Sequence, residues 1–245
     1  MLSKNEIKLI KSLKNKKQRH LNKMFVVEGR KSVSEFINSS FDLHKLFSIN
    51  INDFNMIDVN QISKSELGKI SFLTNPDDHL AIFKMPDEKP LNENYLLVCL
   101  ESINDPGNLG TIIRTCEWFG IKDIVCSLDS VDCYNPKVVQ SAMGSLSRIN
   151  ITYLDLSKFL KSKSLKKFGT FIAGESVYEN KISVGKGIVV FGNEANGISD
   201  DLRVLLDVKL TIPRFNHDSY PESLNLSSSV AVSYTHLTLP TNREV

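Results

Sequence analysis

The most constraining feature of this 245-residue chain is a set of five short apolar runs in its second part. These runs are apolar almost throughout and do not alternate with polar residues, so each predicts a strand that is covered on both faces. Most of the intervals between them have helical character, which indicates an α/β fold with a mostly parallel sheet. The runs are Tyr95–Leu100, Asp123–Ser127, Gly169–Gly174, Gly187–Gly192 and Val208–Pro213.

The interval after the first run predicts a well-marked helix. Its apolar stripe consists of Leu109, Ile112, Ile113 and Cys116. Asn108 is a suitable N-cap and Gly120 a suitable C-terminal stop, because these residue types favour those positions. Arg114 therefore lies off the stripe.

The first part of the chain predicts a smaller α/β unit. Strand-like and helix-like segments alternate after a basic amphipathic helix, and Ser63 with Glu66 forms a capping box. Pro86–Asn94 combines two prolines with acids and asparagines, which is the composition of a linker. We therefore place a small α/β domain at residues 1–88 and the larger α/β domain at residues 89–231.

Charge is distributed unevenly along the chain, although the net charge is only +2. Residues 1–31 contain ten Lys and Arg against two acids, whereas the remainder contains twenty against twenty-six. A basic block of this kind is typical of nucleic-acid contact, but it also occurs on solvated helix faces. Charge alone leaves both interpretations open.

Several functional classes are disfavoured by what the sequence lacks. The four cysteines form no C-x-x-C pair and have no histidine cluster beside them, so we expect buried reduced thiols and no metal site. The absence of G-x-G-x-x-G and G-x-x-x-x-G-K-[ST] disfavours a nucleotide-dependent oxidoreductase and a triphosphate site. No apolar run reaches the roughly 20 residues that span a bilayer, and the N-terminus lacks a signal-peptide core. We therefore expect a cytoplasmic protein.

Three unusual segments coincide with the ends of predicted strands, where open α/β sheets bind ligands. The first motif segment, residues 101–110 (ESINDPGNLG), is a turn that opens a helix with free N–H groups. The second, residues 189–199 (VVFGNEANGIS), has two glycines that permit close approach of a flat ligand, and one carboxylate, Glu194. The third, residues 221–232 (PESLNLSSSVAV), predicts a helix of small residues capped by Ser223 or Asn225. Taken singly, each has an ordinary structural interpretation: a turn, a solvated loop and a capped helix.

Together and in this order, the three motif segments resemble the signature motifs of the SpoU/TrmH family of RNA ribose methyltransferases in the SPOUT superfamily. The residues that carry the resemblance are DPGNLGTIIRT for the first motif, VVFGNEANGIS for the second, and LTIP followed by ESLNLSSSVAV for the third. The resemblance spans residues 95–231 and includes YNPKVVQSAMGS, which is similar to an intermediate family segment. Residues 14–33 resemble part of the small substrate-binding domain that precedes many members. The resemblance implies a deep C-terminal trefoil knot, a homodimer, S-adenosylmethionine bound by the knot loops, and structured RNA as substrate.

The resemblance also implies roles for individual residues. Catalysis and substrate placement fall to Asn108, Arg114, Glu194, Ser223 and Asn225, and cofactor binding falls to Gly192, Asn193, Gly197, Ile212, Leu224 and Ser227. The implied reaction transfers a sulfonium methyl group to a ribose 2'-OH. Because a guanidinium with a pKa above about 12 is a poor base, we expect Arg114 to clamp phosphate rather than to take a proton.

We expect 23S ribosomal RNA rather than transfer RNA as the target, and this expectation rests only on the usual substrates of the family. The alternatives are a transfer-RNA ribose methyltransferase and a non-catalytic RNA-binding protein that uses the larger domain as a dimer platform. Intact Asn108, Arg114, Glu194 and Asn225 argue against the non-catalytic alternative.

The last residues depart from the family pattern. After residue 231, family members continue with an apolar helix, whereas VSYTHLTLPTNREV contains Tyr, His, Pro and Thr without a helical stripe. These residues resemble the translation of a sequencing adapter. We therefore expect residues 232–245 to be a non-native tail and the last helix to be cut short.

Overall fold

The structure is a computed structural model that describes residues 2–54, 57–178, 185–215 and 223–238. It forms two compact units. The first unit comprises Met1–Glu88 and Asp132–Arg148, and the second comprises Lys89–Val131 and Ile149–Val245. The sequence analysis placed Asp132–Arg148 in the larger domain, whereas in the structure this segment packs with the first unit. The division into functional domains stays a prediction.

The first unit contains a four-stranded sheet in the order β1-β4-β2-β3. Strand β4 is antiparallel to both of its neighbours, and β2 is parallel to β3. Its elements are α1 (Lys4–Ser12), α2 (Lys16–Asn22), β1 (Met24–Glu28), α3 (Arg30–Ile37), β2 (Leu43–Ser48), β3 (Val59–Gln61), α4 (Lys64–Ile70), β4 (His79–Lys84) and α6 (Pro136–Ala142). The predicted alternation of strands and helices in this part is confirmed, and apolar residues of α1, α4 and the sheet pack into a common cluster.

Two helices of the first unit begin at capping boxes. Ser63 and Glu66 form the predicted box at α4, and Ser3 and Glu6 form a second box at α1. Glu6 also accepts a hydrogen bond at 2.5 Å from the Lys45 ammonium on β2. The Lys45 contact and the bonds from Ser3 lower the pKa of Glu6 to about 2, so this carboxylate ties α1 to the sheet.

A buried ion pair holds the start of the first unit to the segment after residue 131. Arg19 is 1% exposed, and its Nε and Nη2 donate to Asp132 Oδ2 at 2.9 and 2.5 Å. Its Nη1 donates to the carbonyl oxygens of Leu13 and Lys14, at 3.0 and 2.8 Å. The guanidinium is therefore satisfied internally and shapes the turn between α1 and α2.

The second unit contains a six-stranded sheet in the order β10-β8-β9-β5-β6-β7, and every pair of neighbours is parallel. This confirms the predicted α/β class and the parallel sheet. Its elements are β5 (Leu96–Leu100), α5 (Pro106–Trp118), β6 (Asp123–Ser127), β7 (Asn150–Leu154), α7 (Leu156–Ser162), β8 (Lys167–Ser176), β9 (Gly187–Phe191), α8 (Asp200–Arg203), β10 (Val208–Thr211) and α9 (Leu226–Thr238).

Strand β7 was not predicted from the sequence. It lies at an edge of the sheet, and each of its five residues is only half-buried. An edge strand does not need the continuous apolar run that marks a central strand, so NITYL carries a weak signal.

Helix α5 confirms the predicted stripe and corrects the predicted cap. The four stripe residues are fully buried and Arg114 is exposed, while Gly120 has a φ of +78° just beyond the helix end. The N-cap is Asp105 rather than Asn108, because the Asp105 carboxylate accepts from the Asn108 N–H at 2.7 Å and Pro106 takes the first helical position. The Asn108 side chain is thereby left for another partner.

Helix α9 corrects the expectation that the last helix is cut short. It continues through residues 232–238 and buries Val230, Ser233 and Leu237 on one side. The spacing of these three residues is helical, so a stripe exists with a serine at its centre. The rings of Phe119 and Tyr234 lie 5.6 Å apart, which adds a contact to α5. Residues 239–245 lie outside the described residues, and the non-native origin of the tail stays a prediction.

The predicted burial of the four cysteines is confirmed, and all four thiols are free. Burial raises the pKa of the Cys99, Cys116 and Cys126 thiols above the ordinary range, so these groups stay protonated. No helix among the described residues is long and apolar enough to cross a membrane.

Candidate active site

The first two motif segments meet because the strands before them are neighbours. Strands β5 and β9 are parallel and pair Leu100 with Phe191, so their carboxyl ends lie at the same edge of the second sheet. The third motif segment leads into α9, which packs against α5. The fold therefore brings the described parts of all three motif segments to one place, as ligand sites of open α/β sheets require.

A chain of side-chain hydrogen bonds joins the three motif segments. Asn225 Nδ2 donates to Asn108 Oδ1 at 3.0 Å, and Asn108 Nδ2 donates to Glu194 Oε1 at 3.0 Å. We call Asn225, Asn108 and Glu194 the amide–carboxylate chain. Asn108 is central to it, and its amide orientation follows from accepting on one side and donating to a carboxylate on the other. Three residues predicted to be catalytic from separate parts of the sequence are thus in direct contact.

Asn225 also caps helix α9. Its Oδ1 accepts from the Ser227 N–H at 2.9 Å and from the Ser227 hydroxyl at 2.6 Å. The backbone carbonyl of Asn225 accepts the first helical bond, from the Ser229 N–H at 2.9 Å. Of the two caps that the sequence allowed, Asn225 is therefore the one observed. The Ser227 hydroxyl, predicted to bind cofactor, is used in this cap.

Asn193 organises the second motif segment. Its Oδ1 accepts from the N–H groups of Ala195 and Asn196 at 2.9 and 3.1 Å, and its backbone forms an isolated bridge with Gly197. Its Nδ2 donates to the Ser102 carbonyl at 2.7 Å, which fixes this turn to the residue after β5. The adjacent Glu194 is exposed and faces Asn108 as a consequence.

The two glycines of the second motif segment serve the fold of the loop itself. A Cβ on Gly192 would lie 2.1 Å from the Gly197 carbonyl carbon and 2.3 Å from the Ile198 nitrogen, so only glycine fits. Gly197 has a φ of +67°, which glycine adopts without strain. The sequence analysis attributed these two glycines to the close approach of a flat ligand. The structure shows that the loop itself requires glycine at both positions.

Backbone groups suited to a cofactor lie at the ends of β9 and β10. Within the described ranges, the N–H and C=O groups of Gly192 and Ile212 form no hydrogen bond. Gly192 is buried, Ile212 is half-buried, and Leu224 exposes 52% of its surface. Amide donors and acceptors beside apolar side chains fit a purine ring. Three of the six residues predicted for the cofactor, Gly192, Ile212 and Leu224, therefore suit an adenine-containing group in their chemistry.

The structure does not bring every predicted residue into the amide–carboxylate chain. Arg114 lies on the exposed face of α5, and its side chain makes no hydrogen bond or ion pair with the described residues. Ser223 is exposed and likewise has no hydrogen bond inside those ranges. An exposed guanidinium near a strand-end site is free to meet a phosphate from outside.

Sequence reasoning missed a second polar cluster beside the site, which consists of Ser102, Ser127, Asp129 and Ser130. Ser102 Oγ donates to Asp129 Oδ2 at 2.5 Å, and the Ser102 N–H donates to Ser127 Oγ at 2.7 Å. Bonds from Ser102 and Ser127 lower the pKa of the Asp129 carboxyl. The only signal in the sequence was an excess of serine and aspartate just after the runs that became β5 and β6.

Comparison with known proteins identifies the family. The model of the SpoU rRNA Methylase family matches residues 95–235, and the MRM3-like substrate binding domain matches residues 4–81. Within the described residues, no group of His, Cys, Asp or Glu is arranged to hold a metal ion.

One relative and two solved structures are similar over nearly the whole chain. The 23S rRNA (guanosine(2553)-2'-O)-methyltransferase RlmP of Bacillus subtilis is 27% identical over 243 residues, 95% of each chain. A structure from Porphyromonas gingivalis assigned to the TrmH family of RNA methyltransferases is 31% identical, with a TM-score of 0.88 over 97% of this chain and 98% of that one. The SpoU methyltransferase AviRb of Streptomyces viridochromogenes, in complex with AdoMet, is 21% identical and shows the same fold, with a TM-score of 0.82 over 96% of this chain and 97% of that one. The predicted family is confirmed, and this chain belongs to the SpoU rRNA methylase family.

Proposed function

We propose that this chain transfers the methyl group of S-adenosylmethionine to a ribose 2'-OH of 23S ribosomal RNA. The observation that carries the proposal is the amide–carboxylate chain, which joins the three motif segments at the carboxyl ends of β5 and β9. RlmP, the relative that matches over 95% of each chain, is named for the same reaction on the same RNA. AviRb, which shares the fold, holds the same cofactor.

The cofactor, when bound, supplies an electrophilic methyl group. Gly192, Ile212 and Leu224 would hold it through backbone N–H and C=O groups and apolar contact, since these groups fit a purine. Asn193 and Gly197 shape the loop that carries Gly192, as their mutual bridge shows. Holding the donor still is the main task, because alignment of reacting atoms contributes much of the acceleration in transfer reactions.

The amide–carboxylate chain positions the acceptor. Asn108 fixes one oxygen of Glu194 and leaves the other, Oε2, 3.5 Å from Asn193 Nδ2 and open to a hydroxyl. Glu194 Oε2 is then able to accept a hydrogen bond from the ribose and to orient it. This assigns Asn108 and Asn225 to holding Glu194, and Glu194 to placing the substrate.

Arg114 completes the site from the exposed face of α5. Its guanidinium presents a fork of donors that suits two phosphate oxygens and stabilises negative charge on the attacking oxygen. The hydroxyl proton leaves to a phosphate oxygen or to water, because Arg114 is too weak a base to accept it.

The first unit provides a surface for the RNA backbone. Lys11, Lys14 and Lys17 are exposed around a concave surface at the turn between α1 and α2, together with Ser12, Asn15 and Gln18. Arg19 draws the carbonyls of Leu13 and Lys14 inward, so these acceptors do not compete with the ammonium groups for phosphate. Phosphate contacts of this kind give affinity without base specificity.

A salt titration tests this surface. Replacing Lys11, Lys14 and Lys17 by Gln should weaken RNA binding and make its salt dependence shallower by about one unit of slope per lysine. The matched control replaces Lys158, Lys161 and Lys166, which are exposed lysines of the second unit. Equal salt slopes for the two triple variants would contradict the assignment of the RNA to the first unit.

The proposal also includes a homodimer in the cytoplasm and a knotted second unit. The support for the knot is membership of the SpoU rRNA methylase family, whose resemblance implied it. Residues 216–222, which lie between β10 and α9, are outside the described residues, so the path of the knot stays a prediction.

Methyl transfer to unmodified RNA tests the function directly. Purified chain, S-adenosylmethionine labelled in the methyl group and in vitro transcribed 23S rRNA should give labelled RNA. The phosphodiester after the labelled nucleotide should resist alkali, because alkaline cleavage needs a free 2'-OH. An alkali-labile product labelled on a base, or no labelled RNA, would contradict the proposal.

A further inference from the structure

Ser102 has a backbone conformation that its position in the fold does not explain. Its φ is +54°, and the only other non-glycine residues of the described chain with positive φ are Lys23 and Met143. Those two are C-caps of α2 and α6, where the left-handed conformation is ordinary. Ser102 instead follows strand β5, so its strain needs a local reason.

All three polar groups of Ser102 bind residues at or just beyond the ends of other strands. Its N–H donates to Ser127 Oγ at 2.7 Å and its Oγ donates to Asp129 at 2.5 Å, at the end of β6. Its carbonyl accepts from Asn193 Nδ2 at 2.7 Å, at the end of β9. Ser102 therefore connects three neighbouring strand ends through one half-buried residue.

The left-handed conformation is what lets these bonds coexist. The Ser102 carbonyl has to point toward β9 while its N–H and hydroxyl point toward β6, on the other side of β5. Rotation of the residue into the ordinary extended region would redirect the carbonyl away from Asn193. Asn193 would then lose the bond that fixes the second motif segment to β5.

We propose that Ser102 is a positioning residue for the methyl-transfer site, because its strained backbone holds Asn193 and thereby places Glu194 against Asn108. Ser102 itself contacts neither cofactor nor RNA in this account. The inference rests on the proposed function, since it assigns a purpose to the geometry of the same site. Asp129 supports the arrangement, because the bonds from Ser102 and Ser127 keep its carboxyl ionised as an acceptor.

Three substitutions separate the backbone from the hydroxyl. Ser102→Gly and Ser102→Ala both lack the hydroxyl, but only glycine adopts positive φ without cost. Ser102→Val adds a β-branched side chain, which disfavours this conformation most. Because Asn193 also shapes the loop that carries Gly192, the effect should reach the cofactor. S-adenosylmethionine affinity should stay within about threefold of wild type for Gly, fall for Ala, and fall at least about tenfold for Val.

Met143→Val is the matched control, since Met143 has nearly the same φ, +52°, in the first unit. It should lower the melting temperature about as much as Ser102→Val and leave cofactor affinity unchanged. Titration calorimetry and thermal unfolding measure both quantities on the full chain. If Ser102→Val does not fold, the cofactor affinities of Ser102→Gly and Ser102→Ala still test the proposal.

The outcomes separate this inference from the proposed function. Equal affinities for the Gly, Ala and Val variants, or a Gly variant as weak as Val, would overturn the positioning role. Absence of binding by the wild-type chain would instead contradict the proposed function. The predicted order, with wild-type methyl transfer retained by Ser102→Gly and reduced in Ser102→Val, supports both.

Discussion

The two units use polar residues in opposite ways. In the first unit, Arg19 is 1% exposed and directs three of its nitrogens at Asp132 and two carbonyls, so its hydrogen-bonding capacity is spent internally. In the second unit, Asn225, Asn108 and Glu194 bind one another at the surface and keep groups available to a ligand. Burial and saturation therefore distinguish polar residues that stabilise the fold from exposed polar residues with bonding capacity left for a ligand.

A buried cluster of Ser48, His79 and Asp53 in the first unit shows that residue types alone do not identify a catalytic site. Ser48 Oγ lies 2.8 Å from His79 Nδ1, and His79 Nε2 lies 3.2 Å from Asp53. These are the residue types of a hydrolase triad, yet Ser48 is fully buried and His79 is 2% exposed. The Ser48 hydroxyl also donates to the Asn50 carbonyl at 2.7 Å. A nucleophile without access to substrate has no catalytic use, so we assign this cluster to stability.

The largest expected effect is on stability and concerns the buried ion pair. Asp132→Ala should lower the free energy of unfolding by about 3–5 kcal/mol, because it leaves the Arg19 charge buried without its partner. Asn108→Ala is the matched control in the second unit and should cost less than about 1 kcal/mol, because its bonds are exposed. Denaturant unfolding measures the free energy of unfolding of both variants. Similar losses would contradict the distinction between the buried ion pair of the first unit and the exposed hydrogen bonds of the second.

The next effect is on turnover and concerns the exposed arginine. Arg114→Lys should lose nearly as much methyl transfer as Arg114→Ala, at least about a hundredfold, because lysine lacks the two-pronged fork that fits phosphate. Cofactor affinity should persist in both variants, which separates this role from binding of S-adenosylmethionine. A lysine variant with near-normal turnover in the labelled-methyl assay would refute the phosphate clamp.

The smallest effect is a pH dependence of the first unit. The pKa of Glu6 is about 2 in the fold and near its ordinary value of 4.5 in the unfolded chain, so its contribution is present above pH 4.5 and is lost as the pH falls toward 2. Glu6→Gln should be less stable than wild type at neutral pH, and the difference should shrink toward zero at pH 2. Unfolding curves at several pH values measure the difference in free energy of unfolding between the two proteins. A difference that is constant with pH would show that the ionised Glu6 carboxylate does not stabilise the first unit.

The sequence predicted those features that depend on local pattern. The central strands follow from continuous apolar runs, and the family follows from three motif segments in order. The N-cap of α5 was misassigned because Asp105 and Asn108 are both good caps, and only the observed bond to the Asn108 N–H decides between them. The strain at Ser102 was invisible because positive φ at a serine is imposed by partners far apart in the chain.

The extent of α9 also could not be predicted from the local sequence pattern, which here suggested too little helix. A segment with Tyr, Thr and His looked unsuited to a helix, yet Leu237 is buried and Tyr234 packs against Phe119. Packing of α9 on α5 overrides weak helix propensity, as tertiary contacts often do. Buried Ser233 has no hydrogen-bond partner for its hydroxyl among the described residues, which costs stability.

The most direct test of the central claim is a calorimetric titration of the full chain with S-adenosylmethionine, beside the Asn108→Ala and Asp132→Ala variants. The account predicts binding by the wild type, weaker binding by Asn108→Ala despite nearly unchanged stability, and wild-type affinity for Asp132→Ala under conditions where it is folded. Absence of binding by the wild type, or equal affinities for wild type and Asn108→Ala, would contradict the claim that the three motif segments form one site.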